Sequence, residues 1–148
     1  MNKLSHIDKR GHARMVDVSA KPVQFREAVA RGSISLQRAT LALIAKNRIA
    51  KGDVLNTARI AAIQAAKRTA ELIPLCHPLN LTHVDVELAL KSNRIAITAT
   101  AKIAAQTGVE MEALTAVAVA ALTIYDMCKA VDKSMVIGEI KLVSKIKR

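Results

Sequence analysis

The side chains best suited to chemistry sit on one apolar stretch. From Glu110 to Lys129 the chain reads EMEALTAVAVAALTIYDMCK, and its few polar residues are Glu110, Glu112, Thr115, Thr123, Asp126 and Lys129. Asp126 and Lys129 are i, i+3 neighbours on one helix face. Alone, such a pair is a common helix salt bridge worth ~0.2–0.5 kcal/mol. On an otherwise apolar helix, however, an ion pair is costly to desolvate. A lysine held beside a carboxylate in a cleft is a candidate general acid or base. Glu112 precedes Asp126 by 14 residues, roughly 21 Å along a helix axis and only about 40° around it. The two carboxylates share a face but cannot reach one reacting bond. If both serve a small substrate, they come from different chains or hold opposite ends of a long ligand.

A second stretch is IPLCHPLNL, Ile73 to Leu81, which fixes one of the four histidines, His77, between Pro74 and Pro78. Prolines limit the loop's freedom and would aim His77 reproducibly; a solvated loop histidine is the plain alternative. Cys76, His77 and His83 lack the spacing of a zinc signature, and there is no CxxC pair. A third stretch, KGD, puts Lys51 beside a helix start, where free N–H groups and the helix dipole favour anions. Lys51 could hold a phosphate there, although a lone KGD fits a solvated lysine equally well. Neither a P-loop nor a GxGxxG pattern is present.

The whole chain bounds these readings. Its 148 residues suggest one domain, with about the first 13 expected to be mobile. Hydrophobic residues make up 51%, enough for a real core. Phe25 and Tyr125 are the only aromatic residues, so Ala, Ile, Leu and Val must build that core. No uninterrupted apolar run reaches the roughly 18 residues of a membrane span, and the polar N-terminus lacks the apolar centre of a signal peptide. Cys76 and Cys128 offer no disulfide framework, which suits a reduced, cytoplasmic protein and inert packing thiols. The net charge of +11 calls for an anionic partner. Nucleic acid is the default, but the basic residues are dispersed apart from the tail KLVSKIKR, and stacking aromatics are nearly absent. A nucleotide phosphate fits as well.

The elements that must position these residues follow from periodicity. Ala13 to Lys21 alternates like a short strand. FREAVARGSISL is ambiguous: Val29 and Ile34 suit a strand, Gly32-Ser33 a turn. Leu36 to Lys46 is helical, with Ser35 placed to cap it and Asn47 to stop it. A second helix spans about Asp53 to Ile73, capped by Asp53 and ended by Pro74. Val54, Ala58, Ala61, Ala62, Ala65 and Leu72 mostly face a core, while Gln64, Lys67, Arg68 and Glu71 form the polar side. LTHVDVELAL and RIAITATAKI alternate around the turn Lys91-Ser92-Asn93, an antiparallel hairpin with one hidden face per strand. A long helix, about Val109 to Val131, is apolar nearly all round and so central or at an interface. Gly138 precedes a last strand, Glu139 to Lys145. Strand, helices, strand, strand, helix, strand is the split βαβ order of an α+β, ferredoxin-like fold, an antiparallel sheet with helices packed on one face.

Together the segments KGDVLNTARIAAIQAAKRTAELIPLCHPLNL, TGVEMEALTAVAVAALTIYDMCKAVDKSMVIG and MVDVSAK resemble the molybdenum-cofactor biosynthesis protein C family, the cyclic pyranopterin monophosphate synthases. The resemblance runs from about Ser5 to Lys145. Departures are small: family members often have Gly where Ala62 stands and a bulky aromatic where Ala70 stands, and the C-terminus here is short, which bears on local packing more than on chemistry. The resemblance implies a lyase of molybdenum cofactor biosynthesis. It would rearrange a cyclised dihydro-GTP, supplied by an upstream radical SAM enzyme, to cyclic pyranopterin monophosphate with release of pyrophosphate. It implies Asp126 and Lys129 as the catalytic pair. It implies substrate contacts from Lys51, Leu75, Cys76, His77, Glu110, Met111, Glu112 and Lys145. It also implies a homohexamer, a trimer of dimers with sites at the dimer interface, and no nucleic-acid or membrane partner. No resident cofactor is expected. Mg²⁺ can travel with a triphosphate, but no carboxylate cluster demands a protein-bound metal. The rivals are a basic nucleic-acid-binding module, whose affinity would fall steeply with salt, and a non-catalytic oligomeric interaction protein built on the apolar helix.

Overall fold

A computed structural model describes residues 4–148. The elements run β1 (Gln24–Ser35), α1 (Arg38–Ala45), α2 (Val54–Lys67), α3 (Thr69–Leu72), β2 (His83–Leu90), β3 (Arg94–Ala105), α4 (Glu110–Cys128) and β4 (Val136–Lys147). The four strands form one sheet in the order β2-β3-β1-β4, with every neighbouring pair antiparallel. β1 and β2 therefore run parallel with β3 between them, the split βαβ arrangement expected from the element order. The helices cover one face, and α4 lies across β1, β3 and β4 while α2 packs beside it.

Alanine makes this closeness possible. Ala28 and Ala30 on β1, Ala99 and Ala101 on β3, and Ala113, Ala116, Ala120 and Ala121 on α4 are all buried, with Ile34, Ile95, Ile97, Val117 and Ile124 filling the space between. Gly32 belongs to the same stripe rather than to a turn. A Cβ there would stand 2.7 Å from Val117 Cγ1 and 3.0 Å from Ile140 Cγ1. The ambiguous FREAVARGSISL segment is thus mostly β1, one of the two interior strands, and its glycine is a point where α4 presses on the sheet. By length and composition alone the 19 residues of α4 would suffice to cross a membrane, as those of a central core helix also would, and half of that stretch is buried inside this fold.

Several local expectations change. Ala13 to Lys21 is not a strand; its only bridge is Ile7 with Ala13. The Asp17 carboxylate accepts from the Ser19 N–H at 2.9 Å and the Ser19 hydroxyl at 2.6 Å, and the Lys21 N–H bonds the Val18 carbonyl at 2.9 Å. These local bonds turn the backbone away from a ladder. Of the 13 residues expected to be mobile, 1–3 lie outside the described residues. Those that follow form a hook around Asp8, whose carboxylate accepts from the N–H groups of Arg10 and His12 at 2.8 and 2.9 Å. Ser35 ends β1 and caps nothing; α1 starts three residues later, with Gln37 at its N-cap. Asn47 does stop that helix, in a left-handed conformation with φ 53°. Asp53 caps α2 as expected, accepting from the Asn56 N–H at 3.1 Å. The expected single helix breaks at Arg68, where Thr69 Oγ1 donates back to the Ala65 and Ala66 carbonyls at 3.2 and 3.0 Å. Leu72, expected in the core, is exposed beyond that break. β4 extends past its expected ends at both sides, with two register shifts against β1.

Candidate active site

The first turn of α4 and the loop after α3 face one another across an open cleft of about 370 Å³. Leu75, Cys76 and His77 line it from the loop; Glu110, Met111 and Glu112 line it from the helix. The N-terminal segment closes a third side with Val16 and Val18. His77 Nε2 lies 2.6 Å from the Val16 carbonyl. A carbonyl only accepts, so Nε2 carries the hydrogen and Nδ1 is left with its lone pair when the ring is neutral. The proline-fenced loop thus aims one basic nitrogen. Glu110 is held by Lys145 at 3.2 Å, and Gly108 makes room for its carboxyl group, since a Cβ there would stand 2.7 Å from Glu110 Oε1. Glu112 is only 4% exposed. Burial pushes its pKa up to about 7; its own backbone N–H opposes that rise and the charge of Glu110 adds to it. Burial, and then the charge of Glu112, also raises the Cys76 thiol, so it is no ready nucleophile.

The other end of α4 carries a different group. Asp126 sits between two ammonium groups, with Oδ1 2.8 Å from Lys129 Nζ and Oδ2 2.9 Å from Lys51 Nζ. Lys51 also donates to the Asp126 backbone carbonyl at 3.1 Å. The bond from Lys129, then that from Lys51, holds Asp126 at a pKa of about 2, and the bond from Asp126 in turn raises Lys129. Lys51 does not load the N-terminus of α2, because Asp53's own carboxylate occupies it. All three side chains are about half exposed, so in one protomer this pair is not the desolvated ion pair that an apolar helix suggests. Cys128, close by, is fully buried, and burial, followed by the charge of Asp132, pushes its thiol up to about 11. Among the described residues, no group of three or more His, Cys, Asp or Glu is placed to hold a metal ion.

A model of the MoaC family matches residues 15–147. The chain belongs to the MoaC family. A cyclic pyranopterin monophosphate synthase of Chloroflexus aurantiacus is 62% identical over 146 residues, spanning 97% of this chain and 90% of the relative. Synthases of the same name from Parvibaculum lavamentivorans and Pelotomaculum thermopropionicum are 58% and 56% identical, over 97% and 98% of this chain and 91% and 86% of theirs.

In this MoaC-family chain the ten residues singled out from sequence fall into two groups. Leu75, Cys76, His77, Glu110, Met111, Glu112 and Lys145 gather at the N-terminal end of α4, and Lys51, Asp126 and Lys129 at its C-terminal end. Fourteen residues of one unbroken helix hold the groups roughly 21 Å apart. Sequence reasoning passed over Arg26. It lies on the inward register of β1, its Nη2 donates to the Gln106 carbonyl at 3.3 Å, and its Nε is buried with no partner among the described residues. It shares a smaller cleft of about 220 Å³ with Glu110, Lys145 and Lys147. The signal was an arginine in phase with Ala28, Ala30 and Ile34, and it was lost because the segment was not assigned to a strand.

Glu112 gives a direct check on this geometry. A raised folded-state pKa means that the unfolded chain releases the proton first. The stabilising contribution is whole below the ordinary value of 4.5 and is lost as pH climbs through about 7. Glu112→Gln removes that loss. Its melting temperature should match the parent near about pH 4 and exceed it by roughly 4 °C or more near about pH 8. An unchanging difference across that range would show that Glu112 is not buried as described.

Proposed function

We infer that this chain is a cyclic pyranopterin monophosphate synthase of molybdenum cofactor biosynthesis. It would convert a cyclised dihydro-GTP to cyclic pyranopterin monophosphate and release pyrophosphate. The observation that carries the reading is the name shared by relatives at 56–62% identity along nearly the whole chain. The two ends of α4 supply what such a reaction needs. The substrate brings a triphosphate, and Lys51, Lys129 and Lys145 supply ammonium groups to meet it, with Arg26 and Lys147 beside Lys145. Forming a cyclic phosphate while a purine-derived ring opens and recloses needs proton donors and acceptors. Lys129, held as an ammonium by Asp126, is an acid; His77 Nδ1 is a base; and Glu112, with a pKa of about 7, can serve as either near neutral pH. No resident cofactor is required, and Mg²⁺ would enter only with the triphosphate.

A single protomer presents two half-sites, so the working form is an oligomer with sites shared between chains, in our reading a trimer of dimers. Apolar side chains left exposed on the helices, Ile60, Leu72, Leu122 and Tyr125, support assembly. An upstream radical SAM enzyme supplies the substrate, and the reducing cytoplasm suits the free thiols of Cys76 and Cys128. The test is a coupled assay in which purified protein is given the upstream enzyme's cyclised dihydro-GTP, with pyrophosphate and an oxidisable, fluorescent pterin as readouts. Both products should appear. Their absence from a folded, assembled protein would overturn the reading and return the +11 charge to nucleic acid as the leading clue.

A further inference from the structure

The least exposed acid among the described residues has entered so far only as a charge near Cys128. Asp132, in the turn after α4, is 2% exposed, and among the described residues it forms no ion pair. A buried carboxylate without a cation survives only if its lone pairs are met by donors. Here they are. Oδ2 accepts from the Gln37 backbone N–H and from Thr40 Oγ1, both at 2.9 Å, while Oδ1 accepts from the Ser134 N–H at 2.9 Å and Ser134 Oγ at 2.8 Å. Burial alone would raise its pKa, but these bonds, led by the Gln37 N–H, outweigh it and hold the group near 2, so it remains an anion at neutral pH.

The position of these donors matters. Gln37 is the N-cap of α1 and brings no side-chain cap of its own, so Asp132 caps that helix from the far end of the chain. Thr40, in the first turn of α1, is as buried as Asp132. The segment after α1 is stiff: the Arg48 N–H bonds the Leu43 carbonyl at 2.8 Å, Ile49 is buried, and the Gly52 N–H bonds the Ile49 carbonyl at 3.0 Å. Lys51 stands on that segment. On the other side, the Asp132 N–H bonds the Cys128 carbonyl at 3.0 Å, and Lys133 Nζ donates to the Lys129 carbonyl at 2.6 Å, so Asp132 is rigidly joined to the turn of α4 that carries Asp126 and Lys129. Ser35 and Val136 join the flanking strand ends, and Leu41, Ile44 and Ile49 share the core with Met127 and Cys128, but the polar link that Lys51 itself makes is the exposed pair with Asp126, and exposed ion pairs hold geometry weakly.

We propose that Asp132 is a positioning residue for the reaction: by clamping the start of α1 to the end of α4, it sets Lys51 against Asp126 and Lys129. This rests on the reading that those three residues work together in catalysis. Asp132 itself, sealed among its donors, does not touch substrate.

The test is Asp132→Asn, which keeps the shape but turns one pair of donors against an amide NH₂. In the assembled protein kcat/KM should fall about tenfold to a hundredfold, the scale of a misplaced catalytic group. In a Lys129→Ala background the same change should cost less than about twofold, because a residue that acts through Lys129 has nothing left to position. A second readout does not depend on turnover. In protein with ¹³C-dimethylated lysines, the Lys51 and Lys129 methyl resonances, identified by their loss in Lys51→Ala and Lys129→Ala, should show cross-relaxation in the parent, since both ammonium groups sit on Asp126, and should lose it in Asp132→Asn as Lys51 moves away. Should Asp132→Asn not fold, Thr40→Val removes one donor and Thr40→Ser keeps it; the first should weaken the Lys51–Lys129 cross-relaxation and the second should not. Unchanged cross-relaxation in a folded clamp variant overturns the proposal. If the cross-relaxation is lost but Lys129→Ala turns over normally, the clamp stands and the catalytic reading fails.

Discussion

Lys129→Ala and Asp126→Asn should each lower turnover of the cyclised dihydro-GTP by about 10²–10⁴-fold, the range expected when a positioned proton donor or its partner is removed. The two act for different reasons. Lys129→Ala deletes the proposed acid. Asp126→Asn leaves the ammonium but removes the charged partner that raises its pKa and holds it at 2.8 Å, and it leaves Lys51 with its bond to the backbone carbonyl at position 126 as its only full partner. Lys129 in Asp126→Asn should therefore titrate at lower pH than in the parent. Because the trio is about half exposed and outside the core, neither change should prevent folding. Single-turnover measurements with saturating substrate separate the cases: a loss in the chemical step places these residues in catalysis. Turnover within a few fold of the parent, from either variant, would remove the C-terminal group from the reaction.

Mixing two inactive proteins should restore activity. Glu112→Gln disables the N-terminal half-site and Lys129→Ala the C-terminal one, and the two residues stand on one rigid helix. If each working site takes one half from each of two chains, random pairing of the variants makes half of the dimers mixed. One site in each mixed dimer then joins two intact halves, so about a quarter of the parent activity should return. In a trimer of dimers, purification through two different tags removes only the few homogeneous hexamers, so the recovered activity should stay near a quarter. A site complete within one protomer predicts no recovery at any ratio. The result therefore decides whether the roughly 21 Å between Glu112 and Asp126 is bridged by assembly or spanned by a long ligand.

Much of this architecture follows from the sequence alone. The hairpin β2-β3 alternates with period two, and α4 is apolar over five turns, so local pattern dictates both elements. Asp53 at a helix start and Asn47 at a helix end work through bonds and dihedrals reaching only a few residues. The spacing of Glu112 and Asp126 is likewise a property of one helix, so their separation could be derived without coordinates. The ten candidate residues came from their types, their neighbours and a family resemblance, and the fold sorts them into two groups.

What the sequence did not determine depends on contacts between distant residues. In β1, Val29 and Ile34 suit a strand and Gly32-Ser33 a turn; only the approach of Val117 and Ile140 explains Gly32. Arg26 gains its meaning from Gln106 and Glu110, 80 or more residues away. Lys51 beside a helix start suggested a phosphate site through local physics, yet Asp53 competes for that terminus and Asp126 captures the lysine. Asp132 shows the limit most clearly. In KAVDKS it reads as one more surface acid, and nothing within its own segment forecasts burial. Its donors Gln37 and Thr40 lie 95 and 92 residues earlier, so only the closed tertiary structure makes it an anion inside the protein. Periodicity and capping are encoded over a few residues, whereas burial and ion pairing are settled by which segments the fold brings together.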